Sequence, residues 1–284
     1  MVDLHALTET GKISTGGCIF CSEKGSGELI SCANGTSQID KIHNQVVNYF
    51  NSYKSLRADK FIAYFQNFTN TYDSIKNLKA KYDAALINPK IVGLEVATRP
   101  DCINEDIVKL LSSYKDKYYV CVELGLQTSN DDIGNFINRG YLSSSFTYAT
   151  KLLNKYGIDV VVHLMIGLPL ETFNDVKNSV DFINHHNVQG IKIHSTYVVE
   201  NTGLANLYYS GEYVPISFNY YMDCLVYVLT HINPNVVIHR IVADAPKDLL
   251  VAPSWNLHKK WVLNGLDKIM REQNLFQGMY YDLK

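Results

Sequence analysis

Cys18 and Cys21 flank Ile19 and Phe20 in the stretch Thr15–Glu28, TGGCIFCSEKGSGE. Glycine and serine are too frequent there for a helix, so the thiols belong to a loop. A C-x-x-C pair has few uses. A redox dithiol sits where an apolar strand runs into a helix, and the preceding ETGKISTGG is no strand. Structural zinc takes four ligands, usually with a second C-x-x-C or spaced histidines, and the sequence has neither. An iron–sulfur cluster draws thiolates from one loop, and the glycines before the pair leave backbone amides able to face the sulfurs. Two unligated thiols in a surface loop are the plain alternative. The loop by itself leaves the last two readings open.

Other candidate chemistry lies at the ends of apolar runs. Gln66-Asn67-Phe68-Thr69-Asn70-Thr71 follows one run, Thr98-Arg99-Pro100-Asp101 the next, and Glu123-Leu124-Gly125-Leu126-Gln127-Thr128 a third. His163 with Gly167-Leu168-Pro169, then Lys192 with His194, then His239-Arg240 continue the series. Packing alone does not call for acids, bases and amides at successive strand ends, so one face of the domain reads as a site. The plain alternative for each residue is a satisfied polar group capping a strand or helix. Gly167-Leu168-Pro169 reads as loop geometry, and Cys32, Cys102, Cys121 and Cys224 as ordinary thiols, with Cys121 buried in a strand.

Strands and helices must position these residues. The runs span Lys60–Gln66, Ile91–Thr98, Lys117–Leu126, Asp159–Leu168, Gly190–Val199 and Asn235–Val242, and amphipathic stretches such as NEDIVKLLSSYK and TFNDVKNSVDFINHHN lie between them. Runs that are apolar nearly throughout predict a parallel sheet covered on both faces. The β-α-β-α order predicts one parallel α/β domain, a barrel or partial barrel. A doubly wound open sheet is the alternative, weakened because no G-x-G-x-x-G follows a strand. In such folds the site lies at the carboxyl edge of the strands.

The chain has 284 residues, 46% hydrophobic and 19% charged, with a formal net charge of −2, so nothing demands a nucleic-acid or membrane partner. No apolar run approaches the roughly 20 residues of a membrane span, and the Met1 end lacks the pattern of a signal peptide. Six scattered cysteines fit a reducing, cytoplasmic setting.

Taken in order, TGGCIFC, YFQNFTNTY, ATRPDC, VELGLQT, INRGY, HLMIGLP with ET, GIKIH and VIHRIVADAPKDLLVAPSW resemble a family of bacterial radical S-adenosylmethionine (SAM) proteins. That family is related to the elongator catalytic subunit and to oxygen-independent coproporphyrinogen dehydrogenase. The resemblance runs from Gly11 to about Tyr280. It implies a partial TIM barrel with a 4Fe–4S cluster that reduces SAM to methionine and a 5′-deoxyadenosyl radical. Three cysteines then hold three irons, and the fourth iron stays open for SAM. Cys18 and Cys21 match the last two cysteines, and Phe20 the aromatic residue near the adenine. Glu123 and Gln127 suit the amino and ribose groups of SAM, and Arg139 its carboxylate. Asn70, Thr71, Arg99, Asp101, His163, Lys192 and His194 are expected to line the remaining cavity. One domain is expected over 1–284: a cluster loop in 1–35, a barrel core in 36–200 and a C-terminal extension in 201–284 that completes the barrel.

Two departures stand out. The family's first cluster cysteine, in a segment like Cys-Pro-Asn-Arg-Asp-Gly, falls where this chain has Ala6, and the family's first strand lies upstream of Met1. Codons for Met1–Thr10, MVDLHALTET, regrouped two bases along, can spell Gly-Gly-Phe-Thr-Cys-Pro-Asn-Arg-Asp. The expectation is a single-base insertion or deletion near the Gly11 codon, a truncated barrel and impaired cluster binding. His5 or Cys32 are the conceivable replacement ligands.

The relatives imply an RNA base, as in tRNA, as substrate ahead of a small metabolite, with flavodoxin or ferredoxin as electron donor. Lys76, Lys79, Lys81, Lys259, Lys260 and Trp261 offer only small basic patches, and Asp244, Lys247 and Trp255 are candidates for contact. The competing readings are a non-catalytic binding protein or decayed gene product, and a metal-independent lyase using Lys192 as a Schiff-base amine.

Overall fold

The computed structural model describes residues 17–22 and 35–282. Six parallel strands form one curled half-barrel in the order β1-β2-β3-β4-β5-β7: β1 Phe61–Phe65, β2 Ile91–Thr98, β3 Tyr119–Gln127, β4 Asp159–Ile166, β5 Gly190–Ser195 and β7 Val237–Arg240. Helices α1 Gln38–Phe50, α2 Ile75–Ala85, α3 Glu105–Ser112, α4 Asp131–Phe136, α5 Ser143–Lys155 and α6 Phe173–Asn184 alternate with the first five strands. The C-terminal third holds α7 Gly203–Tyr209, α8 Phe218–His231 and α9 Lys259–Glu272. The predicted run Gly190–Val199 is divided. β5 ends at Ser195, and β6 Val198–Val199 pairs antiparallel with β8 Leu250–Ala252 in a separate ribbon.

The period of two along each strand separates packing from chemistry. Val120, Val122, Leu124 and Leu126 of β3, Val160, Val162, Leu164 and Ile166 of β4, and Ile191 and Ile193 of β5 join the core shared with the helices. The intervening residues face the hollow: Glu123 and Gly125 on β3, His163 and Met165 on β4, Lys192 and His194 on β5. Gly125 pairs with His163, His163 with Lys192 and Met165 with His194. The outer face is apolar, and the inner one becomes polar toward its carboxyl edge.

Hydroxyl and amide side chains start the helices by taking up otherwise unpaired N–H groups, each worth about 1 kcal/mol. Ser74 opens α2, Asn104 α3 and Asn130 α4, while Thr172 forms a reciprocal cap with Asp175 at α6. At the far side β1 is the outermost strand among the described residues. Tyr49 and Phe50 at the end of α1 set their rings edge-on to Phe61, 5.7 and 5.1 Å between centroids.

Phe146 of α5 is fully buried against Phe182 and His186. Phe146→Ala is expected to lower unfolding stability by about 3–5 kcal/mol, read as a reduced urea midpoint.

Candidate functional site

The cysteine loop is seated by backbone contacts to two separate elements. Ile19 N–H donates to Ile137 O at 3.1 Å, just past α4, and Asn138 Nδ2 donates to Gly17 O at 2.7 Å. On the other side Leu204 N–H, in the first turn of α7, donates to Ile19 O at 2.7 Å. Gly203 makes this approach possible, since a Cβ there would lie 3.2 Å from Ile19 Cβ. Cys21 N–H closes a turn onto Cys18 O at 3.0 Å, placing both thiols on one side. A hydrogen bond from the Cys21 thiol lowers the Cys18 pKa; burial opposes this, and the nearby guanidinium groups of Arg99 and Arg139 reinforce it.

Cys18, Phe20 and Cys21 line a cavity of about 320 Å³ together with Arg99, Gln127 and Tyr141 on one side and Glu123, His163, Lys192, His194 and Arg240 toward the interior. The size suits a small ligand or cofactor. Tyr141 lies between two guanidinium groups, with Arg99 4.8 Å and Arg139 5.0 Å from its ring centroid. Its hydroxyl is 2.9 Å from both Gly125 O and Gln127 Oε1. Gln127 has φ +60, and its side chain folds back over β3. A Cβ on Gly125 would stand 2.4 Å from Gln127 Nε2, so glycine is what lets the amide lie there.

Inside the hollow, Glu123 is buried, and its carboxylate accepts from Tyr64 OH at 2.6 Å, from His163 Nε2 at 2.7 Å and from the Lys192 ammonium. Burial works to raise the Glu123 pKa. Hydrogen bonds from His163 and Glu95, with the charges of His163 and Lys192, outweigh it and hold the group well below the usual carboxylate range. Glu95 moves the other way, pushed up to about 8 by burial, by its hydrogen bond to Glu123 and by that residue's charge. The pair thus divides into one carboxylate and one carboxylic acid. Lys192 also sits over the Tyr64 ring, 4.5 Å from its centroid. His194 is held well below its ordinary pKa by burial and by His163, Arg240 and Lys192.

Several expected site residues have other positions. Arg139 is fully buried outside the cavity, and its guanidinium donates to Tyr141 O, Leu126 O, Thr128 O and Asp131 Oδ1 at 2.6–2.9 Å. The expected carboxylate clamp is therefore a strap on the β3–α4 corner. Asn70 Nδ2 lies 2.9–3.0 Å from Phe65 O, Asn67 O and Ala97 O, closing a turn rather than lining the site. Thr71 is tied to Thr98 Oγ1 and Cys102 O and faces a different concavity, as does Asp101. Asp101 holds Arg99 bidentately at 2.8 and 2.9 Å. Glu123 lines the cavity, but both its oxygens are already engaged by protein donors.

Lys192 is paired with Glu123 in the hollow. Trp255 is buried against Tyr221, whereas Asp244 does reach the cavity wall. The sequence reading gives no site role to Tyr64, Glu95 or Tyr141, while Arg240 stands in its series of polar strand ends. Period-two alternation in FIAYF and its pairing with IVGLEVAT was the available signal for Tyr64 and Glu95. Tyr141 closes the INRGY stretch, in which the resemblance points to Arg139. Among the described residues no group of three His, Cys, Asp or Glu side chains could hold a metal ion. The thiol pair suits an iron–sulfur cluster in kind and supplies fewer thiolates than the usual cysteine-held cluster takes. His5, Ala6 and Cys32 lie outside the described residues.

The sequence matches the Radical SAM superfamily over residues 9–183 and the Radical_SAM C-terminal domain over residues 188–272. It is 32% identical to YtqA of Bacillus subtilis over 271 residues, covering 95% of this chain and 83% of that protein. It is 33% identical to YhcC of Escherichia coli K12 over 266 residues, covering 93% and 84%. Elongator complex protein 3 of Saccharomyces cerevisiae is 30% identical over 173 residues, covering 57% of this chain and 29% of that protein. Among solved structures, the archaeal Methanocaldococcus infernus Elp3 with an N-terminal deletion superposes with a TM-score of 0.68 at 21% identity. That superposition covers 84% of this chain and 60% of the other, and it shows a shared fold.

Arg139→Met removes the guanidinium donors from Tyr141 O and Thr128 O and leaves Leu126 O only its bond from Thr128 N–H, so a loss of about 3 kcal/mol is expected in chemical denaturation. The Glu95 pKa gives a signed pH effect. From the ordinary carboxylate range up to about pH 8 the folded chain keeps a proton on Glu95 that the unfolded chain has released. Raising pH through that window therefore costs stability, and the loss levels off above it. Glu95→Gln is expected to flatten that decline in melting temperature between about pH 5 and pH 8.

Proposed function

The chain belongs to the radical SAM superfamily, whose enzymes use a 4Fe–4S cluster and SAM, and on that premise we propose that this cavity is its SAM and cluster site. One observation carries the reading: the C-x-x-C thiols open into the same cavity as Phe20, Gln127, Glu123 and His163. When bound, cluster and SAM supply a 5′-deoxyadenosyl radical for hydrogen abstraction. The chain's own part is placement. Cys18 and Cys21 offer two thiolates, with the Cys18 charge favoured by Cys21, Arg99 and Arg139. Phe20 gives an apolar wall, and Gln127, fixed by Tyr141, presents its amide. Glu123 acts as a positioning residue that orients Tyr64, His163 and Lys192 around the reactive space. The reading places the protein in a reducing cytoplasm, with a flavodoxin- or ferredoxin-type electron donor. No helix among the described residues is long and apolar enough to cross a membrane.

The same reading includes an impairment. Ala6 stands at the position that the resemblance matches to the first ligand. The superfamily match begins at residue 9, beside the inferred change of reading frame. Two thiolates leave the cluster under-held, which favours the second reading, a catalytically silent binding protein. An RNA-base substrate gains support only from the partial similarity to Elongator complex protein 3.

Anaerobic iron–sulfide reconstitution separates these readings. The chain is expected to retain well under the about four irons of a full cluster, and Ala6→Cys to raise the count toward it with 5′-deoxyadenosine formation from SAM. A full cluster on the unaltered chain would overturn the impairment. A filled cluster in Ala6→Cys without SAM cleavage would overturn the enzymatic reading. Nucleotide sequence upstream of Met1 tests the frame change.

A further inference from the structure

The segment between β7 and β8, residues 241–249, crosses the rim of the cavity. Ala243, Asp244 and Pro246 line the cavity, while the Asp244 side chain is still 43% exposed, so this strap stands between the cavity and solvent. Both ends of the strap are fixed. Tyr221 OH donates to Ile241 O at 2.7 Å, and Val242 is fully buried. At the other end Glu200 N–H donates to Leu249 O at 3.0 Å, just before β8 pairs with β6. Between these anchors the backbone bonds stay local, with Leu249 N–H and Leu250 N–H both donating to Pro246 O, at 3.1 and 2.9 Å. The polar tie from the strap to a neighbouring helix is the Asp244 carboxylate, which accepts from Lys259 Nζ at 3.0 and 3.1 Å. Arg240, on the cavity wall, is looser, at 3.9 Å from the same carboxylate.

Lys259 is the first residue of α9, and that end of the helix has no counter-charge of its own. His258 gives no side-chain cap, the first turn contains no acid, and Lys260 adds a second cation. The positive end of the helix dipole faces both ammonium groups. Asp244 supplies the missing negative charge from the strap. Both partners are nearly half exposed, and an ion pair so placed breaks readily. That suits a latch better than a brace. Segments that open for ligands come from the least stable parts of a fold.

We propose that the strap 244–248 is a lid on the cavity, latched by the pair between Asp244 and Lys259, and that ligands enter when this pair opens. The lid governs access and acts on whichever small molecule the cavity takes. Cys18 and Cys21 line the cavity and serve as internal reporters of access, whereas Cys102 lies in a separate concavity.

The test uses the full chain, free of cluster, in hydrogen exchange followed by mass spectrometry and in alkylation by a bulky maleimide, with each modified cysteine identified after digestion. Lys259→Gln is expected to speed both amide exchange over 244–248 and alkylation of Cys18 and Cys21 about two- to fivefold. Cys102 alkylation is expected to stay unchanged. High salt is expected to speed the wild type likewise and to do little to Lys259→Gln, because screening acts on the pair. Lys259→Arg keeps the charge and is expected to keep wild-type rates. Lys268→Gln, on the same helix and facing Glu272, is expected to keep them too. Unchanged strap exchange in Lys259→Gln overturns the latch. Faster exchange with unchanged or slower alkylation of Cys18 and Cys21 overturns the lid. An equal effect of Lys268→Gln, or acceleration at Cys102 as well, marks a general loosening and overturns both.

Discussion

The site depends on the guanidinium of Arg139, a permanent charge with no exposure to solvent. It gathers three carbonyl oxygens and Asp131 Oδ1, closing the corner where β3 turns into α4. The space it occupies is reserved by Gly134, where a Cβ would stand 2.6 Å from the guanidinium. From that corner the chain presents Ile137 and Asn138 to the cysteine loop and Tyr141 to Gln127. A side chain that does not itself line the cavity thereby helps to hold the thiols and the amide on its wall. Burying a lone charge is costly, and four acceptors make this one tolerable.

The half-barrel assigns its two faces different tasks. The outer face buries branched aliphatic side chains under helices and supplies most of the cohesion. The inner face carries a network centred on Glu123 that joins the edge strand β1, through Tyr64, to β4 and β5, through His163 and Lys192. Charge is concentrated there because the hollow is set apart for chemistry and not filled by packing. The division between charged Glu123 and neutral Glu95 follows from the same crowding, since two adjacent buried carboxylates do not both ionise easily.

Strand positions and parallel order were legible in the sequence because hydrophobic runs and helical periodicity are local. The cysteine loop was legible through its spacing, and Glu123, Gln127 and His163 through their places at strand ends. Arg139 was misjudged for a physical reason: a guanidinium beside a site has the same sequence signature whether it faces ligand or carbonyls. Asn70 and Thr71 were misjudged likewise, because amides and hydroxyls at strand ends serve turns as readily as ligands. Tyr64 depends on pairing between strands distant in sequence, which residue spacing alone does not specify.

The bond from Leu204 N–H to Ile19 O has a bearing on biogenesis. The thiols leave the ribosome early, yet one of their two docking partners belongs to α7, in the last third of the chain. A nascent chain lacking α7 presents Cys18 and Cys21 without that support, so their final seating waits on late synthesis. Such long-range closure is slow compared with local helix formation. Any group that reached the thiols before α7 is made would meet a loop lacking one of its two backbone anchors.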